Sequence, residues 1–155
     1  MVFKIKVRAE VRPTEDIEKI KNAVKNILSF KEEEFRITTD EEDRKYLIAE
    51  TQRVNALEPL FFKIRQFRIL ETFRTQLKRG TTAGIIFFQL NREAAAVNHI
   101  SLYSPDSDLF EPIEITIVCS CPDEFIDWLA PHTKEGKPIK EYPFEYITRL
   151  IQEDK

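Results

Sequence analysis

The sequence predicts a two-layer α+β fold in which a mainly antiparallel or mixed sheet packs against one long helix and several shorter ones. Three observations lead there. Stretches with the two-residue apolar period of strands are interspersed with stretches of helical period, without the regular alternation of a doubly wound parallel sheet. The 155 residues, 42% of them apolar and twelve of them Phe, are the length and material of one domain with one core. A charged fraction of 33% with only three Gly fits a compact chain rather than a disordered one.

The elements follow in order. Phe3, Ile5, Val7, Ala9 and Val11 alternate with Lys4, Lys6, Arg8 and Glu10, a strand with one buried face that Pro13 ends. Thr14 is expected to cap a helix running to about Ser29, with Glu15 and Asp16 near its positive end and Ile17, Ile20, Val24, Ile27 and Leu28 as its apolar stripe. Phe35 and Ile37 suggest a short strand, residues 40–43 (DEED) a charged turn, and residues 45–51 (KYLIAET) a further strand. Asn55 followed by Glu58 and Pro59 opens a long helix that ends near Gly80. Residues 84–90 (GIIFFQL) are a near-continuous apolar run, expected to be a central strand buried on both faces. Asn91 can cap a brief turn at Ala94–Ala96, and residues 97–103 and 111–119 read as strands joined by the turn-rich SPDSD. Pro122 suits the first position of a helix that Pro131 stops, residues 131–138 form a loop, and a C-terminal helix at about 143–153 is expected as an appendage to a single domain spanning 1–155.

Several function classes find no support. The amino terminus alternates instead of running apolar, and no stretch approaches the roughly 18 apolar residues of a membrane span, so a cytoplasmic location without membrane contact is expected. Cys119 and Cys121 are two residues apart and extend the buried row of Ile113, Ile115 and Ile117, so core packing is expected instead of a disulfide or a metal site. His99 and His132 have no evident nucleophile beside them, and no glycine-rich loop could cradle a phosphate. No cofactor, metal or catalytic activity is expected.

The positive signal is a charge asymmetry. Residues 60–80 carry six Lys/Arg against one Glu in a chain of net charge −3. Residues 53–92 hold an excess of six positive charges, which leaves the rest of the chain with nine negative ones. On a helical projection Phe62, Phe67, Ile69, Leu70, Phe73 and Leu77 share one side, and Arg65, Arg68, Thr72, Thr75 and Arg79 the other; Lys63 and Arg74 fall nearer the apolar side. Two readings stand side by side. The basic stripe of Arg65, Arg68, Lys78 and Arg79, with Arg74 and Arg92 at its margins, contacts the phosphates of RNA. Alternatively it is the solvated side of a helix, neutralised by the acidic residues 32–43, or it meets an acidic protein partner or a second copy in a homodimer.

The stretches VRPTEDIEKI, IRQFRILETFR, RGTTAGIIFFQLNREAAAVNHISL and DWLAPHT together resemble an archaeal family of uncharacterised proteins that carry an RNA-binding label. The resemblance covers about residues 2–134. It implies the α+β fold of the large-subunit ribosomal protein that binds 5S rRNA, and an RNA-binding role. The long-helix pattern of that family falls on Arg65–Arg74, where Arg65, Arg68, Ile69, Leu70, Thr72 and Arg74 match. Glu71 replaces Asp, Phe67 replaces Gln and Phe73 replaces Ala.

Overall fold

The computed structural model describes residues 3–153. The first strand, β1 (Lys4–Val11), forms as its alternation dictates: Ile5, Val7, Ala9 and Val11 are buried, and the charged residues between them turn to the opposite face. With β2 (Phe35–Thr39), β3 (Lys45–Thr51), β4 (Thr81–Thr82), β5 (Ile85–Leu90) and β6 (Ile113–Val118) it makes one antiparallel sheet of order β2-β3-β1-β6-β5-β4. Register assigns the faces. Val7 lies opposite Ala49 and Ile115, and Ile115 opposite Phe88, so these side chains share the core face.

Among the described residues six α-helices accompany the sheet: α1 (Ile17–Ile27), α2 (Glu58–Gln66), α3 (Leu70–Arg79), α4 (Arg92–Ala96), α5 (Pro122–Leu129) and α6 (Tyr146–Glu153). Val24 and Ile27 of α1, Leu60 and Ile64 of α2, Leu70, Phe73 and Leu77 of α3, and Trp128 of α5 join the sheet residues in one continuous core. Phe73 meets Phe88 edge-on at 5.3 Å, and Phe61 stacks on Trp128 at 4.9 Å. The α6 segment packs against α5, and its Ile147 belongs to the same core. Among the described residues no helix is long and apolar enough to cross a membrane.

Six local expectations are corrected. Asp16, not Thr14, caps α1, its carboxylate accepting from the Glu18 amide at 2.9 Å. The expected long helix is broken at residues 67–69. There the Ile69 amide bonds to the Ile64 carbonyl and the Arg68 amide to the Arg65 carbonyl, the paired bonds of a Schellman cap, with Arg68 in the left-handed conformation at φ 56°. Such a cap ordinarily signals itself through glycine, and an arginine gives no warning. The wheel drawn for a continuous helix also put Phe62 on the apolar side, whereas it is exposed.

Residues 84–90 do not form a central strand buried on both faces. β5 lies one strand from the edge, and Ile85 and Phe87 emerge on the face opposite the helices because no second layer among the described residues covers it. Of the strand expected at 97–103, a single bridge from Leu90 to Leu102 forms; Val97 and Asn98 instead close the end of α4, where the His99 amide bonds to the Ala94 carbonyl. Within the expected loop 131–138, β7 (Thr133–Lys134) and β8 (Lys137–Pro138) pair as a small hairpin. Its turn residues Glu135 and Gly136 both have positive φ, as a type I′ turn requires.

Candidate nucleic-acid interface

The break after α2 turns the basic stripe into two sets of side chains with different surroundings. Arg65, four-fifths buried, stacks its guanidinium 3.5 Å from the Phe61 ring centre and donates to the carbonyls of Leu129 and Trp128 at 2.9 and 3.1 Å. It also pairs with Glu141 at 2.6 Å. Arg74 is buried, with Nη1 on the Ala130 carbonyl at 3.1 Å and Nη2 on Asp127 at 2.8 Å. Both arginines therefore dock on the last carbonyls of α5, which a helix cannot satisfy internally and where the macrodipole favours a cation. The stretches IRQFRILETFR and DWLAPHT, distant in sequence, meet here.

Arg92 is likewise inside, its Nη1 held by the Glu15 carboxylate at 3.0 and 3.2 Å. Lys63 reaches the Asn26 carbonyl at 2.5 Å, and burial lowers its pKa. These positions were expected at, or near, a phosphate-facing stripe; Arg65 and Arg74 instead bond internal acceptors, and Arg92 is buried with Nη1 on Glu15 while its Nε and Nη2 have no hydrogen-bond partner among the described residues.

Arg68, Lys78 and Arg79 point outward. Lys78 stands 3.3 Å from the exposed Asp123, while Arg68 and Arg79 have no ion pair among the described residues. Arg79 closes α3 where Gly80 meets β5, the Phe87 amide donating to the Gly80 carbonyl at 3.0 Å. The uncovered sheet face begins there. Reading across the register, Phe87 lies opposite Thr116, and Thr116 opposite Lys6; the neighbouring rows bring Arg8 beside Ile48 and Lys4 beside Val118. Arg8 covers the Tyr46 ring at 3.9 Å and approaches Glu114 at 3.5 Å, and Glu50 ties Lys4 and Arg36, each at 2.6 Å. Lys6 has no ion pair among the described residues.

The acidic residues 32–43 do not neutralise the stripe. Glu32 pairs with Lys21 at 2.8 Å and with Lys25, which hold its pKa down at about 2. Glu34 receives Arg53, chiefly through that hydrogen bond, and its pKa falls to about 2 as well. Asp40 and Glu42 take Arg44. The carboxylates that do meet the stripe and its margins, Glu15, Asp123, Asp127 and Glu141, lie outside residues 32–43.

Cys119 is buried at the end of the Ile113–Ile117 row, and its sulfur lies 3.3 Å from that of Cys121, the residue that caps α5. His99 stacks on Phe67 at 4.5 Å, and His132 is 3.7 Å from Glu71. Among the described residues no group of three His, Cys, Asp or Glu is arranged to hold a metal ion. The residues that sequence reasoning missed are Phe87 and its neighbours at the end of α3, because the apolar run 84–90 reads as buried on both faces; the one available hint was the polar Gln89 within that run.

A UPF0201 protein of Sulfurisphaera tokodaii is 37% identical over 144 residues, spanning 90% of this chain and 95% of its own length. The chain belongs to the UPF0201 family. The UPF0201 protein of Metallosphaera sedula is 33% identical over 143 residues, covering 90% of this chain and 96% of its own. Residues 4–119 match a family model described as RNA binding, which ends at Cys119, before α5. The crystal structure of a UPF0201 protein from Methanococcus jannaschii superposes with a TM-score of 0.73 at 27% identity, over 88% of this chain and 99% of that one. The α+β arrangement described above is thus shared with a solved UPF0201 structure.

Proposed function

We propose that this UPF0201 chain is a cytoplasmic, noncatalytic RNA-binding protein that holds the phosphate backbone through Arg68, Lys78 and Arg79. The observation that carries this reading is the contrast between the two sets of cations. Arg65, Arg74 and Arg92 bond internal carboxylates and carbonyls. Arg68 and Arg79 are exposed without a carboxylate partner among the described residues, and the 3.3 Å contact of Lys78 with an exposed aspartate is one that water and salt weaken. An exposed cation without a carboxylate beside it attracts an anion along its path at no cost in broken pairs. The match to a family model described as RNA binding supports the same reading. A relation of the fold to the large-subunit ribosomal protein that binds 5S rRNA belongs with it.

The test is the triple variant Arg68→Glu, Lys78→Glu, Arg79→Glu, with binding to mixed-sequence RNA followed against salt. Backbone contacts position a ligand without reading its bases, so affinity should fall alike across sequences. The parent's salt slope should flatten by roughly 2, at about 0.7 per lost phosphate contact on a single strand. A triple variant that binds as tightly as the parent at ~50 mM salt, where charge contacts are strongest, refutes the reading. If that variant also changes oligomeric mass, the basic face serves an acidic partner or a second copy.

A further inference from the structure

At the carboxyl end of α3 a cleft of about 220 Å³ opens between the helix and the edge of β5, lined by Gln76, Arg79, Gly80, Phe87, Gln89 and Tyr103. We infer that this cleft holds an unpaired nucleobase, which makes the RNA taken by this protein single-stranded; the inference rests on the RNA-binding reading above and names its substrate class. The residues supply what a base with its phosphate needs. Phe87 exposes 38% of its surface in the middle of a strand, where an apolar ring gains nothing from water. Such a ring is a stacking platform for any base, since every base has a π-face. The amides of Gln76 and Gln89, both half-buried, each offer a donor and an acceptor to a base edge, and the Tyr103 hydroxyl offers either. Arg79 brings a positive charge to the rim.

The cleft is built rather than loose. The Phe87 amide bonds to the Gly80 carbonyl and the Tyr103 amide to the Gln89 carbonyl, each at 3.0 Å, which fixes the helix end and the 101–103 segment one after the other along the edge of β5 that faces away from β6. From Phe87 the register runs through Thr116 to Lys6, so a strand that leaves the cleft over the open sheet meets a cation without an ion pair among the described residues. Paired RNA cannot use this geometry: its bases are stacked inside the helix, and side chains do not read its deep, narrow major groove.

The experiment compares a labelled oligouridylate with a labelled RNA duplex of equal length by fluorescence anisotropy, for the parent, Phe87→Ala and Phe87→Tyr. The parent should prefer the single strand. Phe87→Ala should weaken it by roughly 5- to 150-fold, the range for loss of one base stack, with the salt slope unchanged. Phe87→Tyr should keep most of the affinity. Thermal melting of both variants checks that the fold is intact, as expected for an exposed ring. Equal binding of duplex and single strand, with Phe87→Ala without effect, overturns this inference and leaves the RNA-binding reading standing. Failure of the parent to bind either RNA overturns both.

Discussion

Replacing Gly80 by alanine should strongly destabilise the protein, although the backbone there would accept an alanine. Gly80 sits at φ −88° and ψ 4°, a conformation open to any residue. Judged on conformation alone, Gly→Ala would stabilise by about 0.4–1 kcal/mol by restricting the unfolded chain. The surroundings reverse the sign. A Cβ on Gly80 would stand 1.8 Å from the Phe87 carbonyl oxygen and 3.0 Å from its carbonyl carbon, both backbone atoms that cannot swing aside. The helix end or β5 must retreat by more than an ångström, and the 3.0 Å bond from the Phe87 amide to the Gly80 carbonyl breaks with it. Overpacking of this kind costs about 1–3 kcal/mol, and the orphaned amide and carbonyl add about 1–3 more, so a loss of about 2–6 kcal/mol, centred near 4, is expected. Urea unfolding followed by circular dichroism should show the midpoint falling by roughly 2 M at an m-value of about 2 kcal/mol/M, with m itself unchanged. A variant as stable as the parent, or more stable, would refute the close approach of α3 to β5 and with it the geometry of the cleft beside Phe87.

Two further outcomes are expected. Arg68→Gly should stabilise by about 0.5–1 kcal/mol in the same urea assay, because glycine removes the left-handed penalty of about 1–2 kcal/mol at φ 56° while adding some unfolded-state entropy; Arg68→Ala should show no such gain, and equal behaviour of the two would count against the cap. The Glu34 pKa is lowered from 4.5 to about 2, first by its hydrogen bond from Arg53, so its contribution to stability is complete above about pH 4.5 and is lost as the pH falls toward 2. Glu34→Gln should therefore melt lower than the parent at neutral pH and converge with it in acid; parallel melting curves across that window would remove the pair from the account.

Much of the fold was legible because strand and helix periods are written in adjacent residues. The alternation from Phe3 to Val11 became β1 with the expected inner and outer faces, and the row Ile113, Ile115, Ile117 and Cys119 is buried as its spacing implied. Pro122 opens α5 as its fixed φ suggests. The break between α2 and α3 was not legible, since the residue in the left-handed position is an arginine, which local sequence reads as a good helix former. The exposure of Phe87 was not legible either. Whether an apolar strand is covered on one face or two depends on how many layers the whole chain can build, and no local pattern contains that.

For the basic segment, the sequence by itself determined that six cations lie between residues 60 and 80 and that an apolar stripe, Leu70, Phe73 and Leu77, faces the core beside them. Only the tertiary structure decided which cations face water. The acceptors that bind Arg65, Arg74 and Arg92 across the fold lie 53–77 positions away along the chain: Glu141, Ala130, Asp127 and Glu15. An ion pair forms through space at a few ångströms, while sequence distance says nothing of that separation once the chain has folded. The α5 carbonyls that draw in Arg65 and Arg74 exist as unsatisfied acceptors only after that helix has formed and ended. Arg68 and Arg79 stay in solvent for the complementary reason: the packing of α2 and α3 brings no carboxylate of the described residues within ion-pairing distance of either.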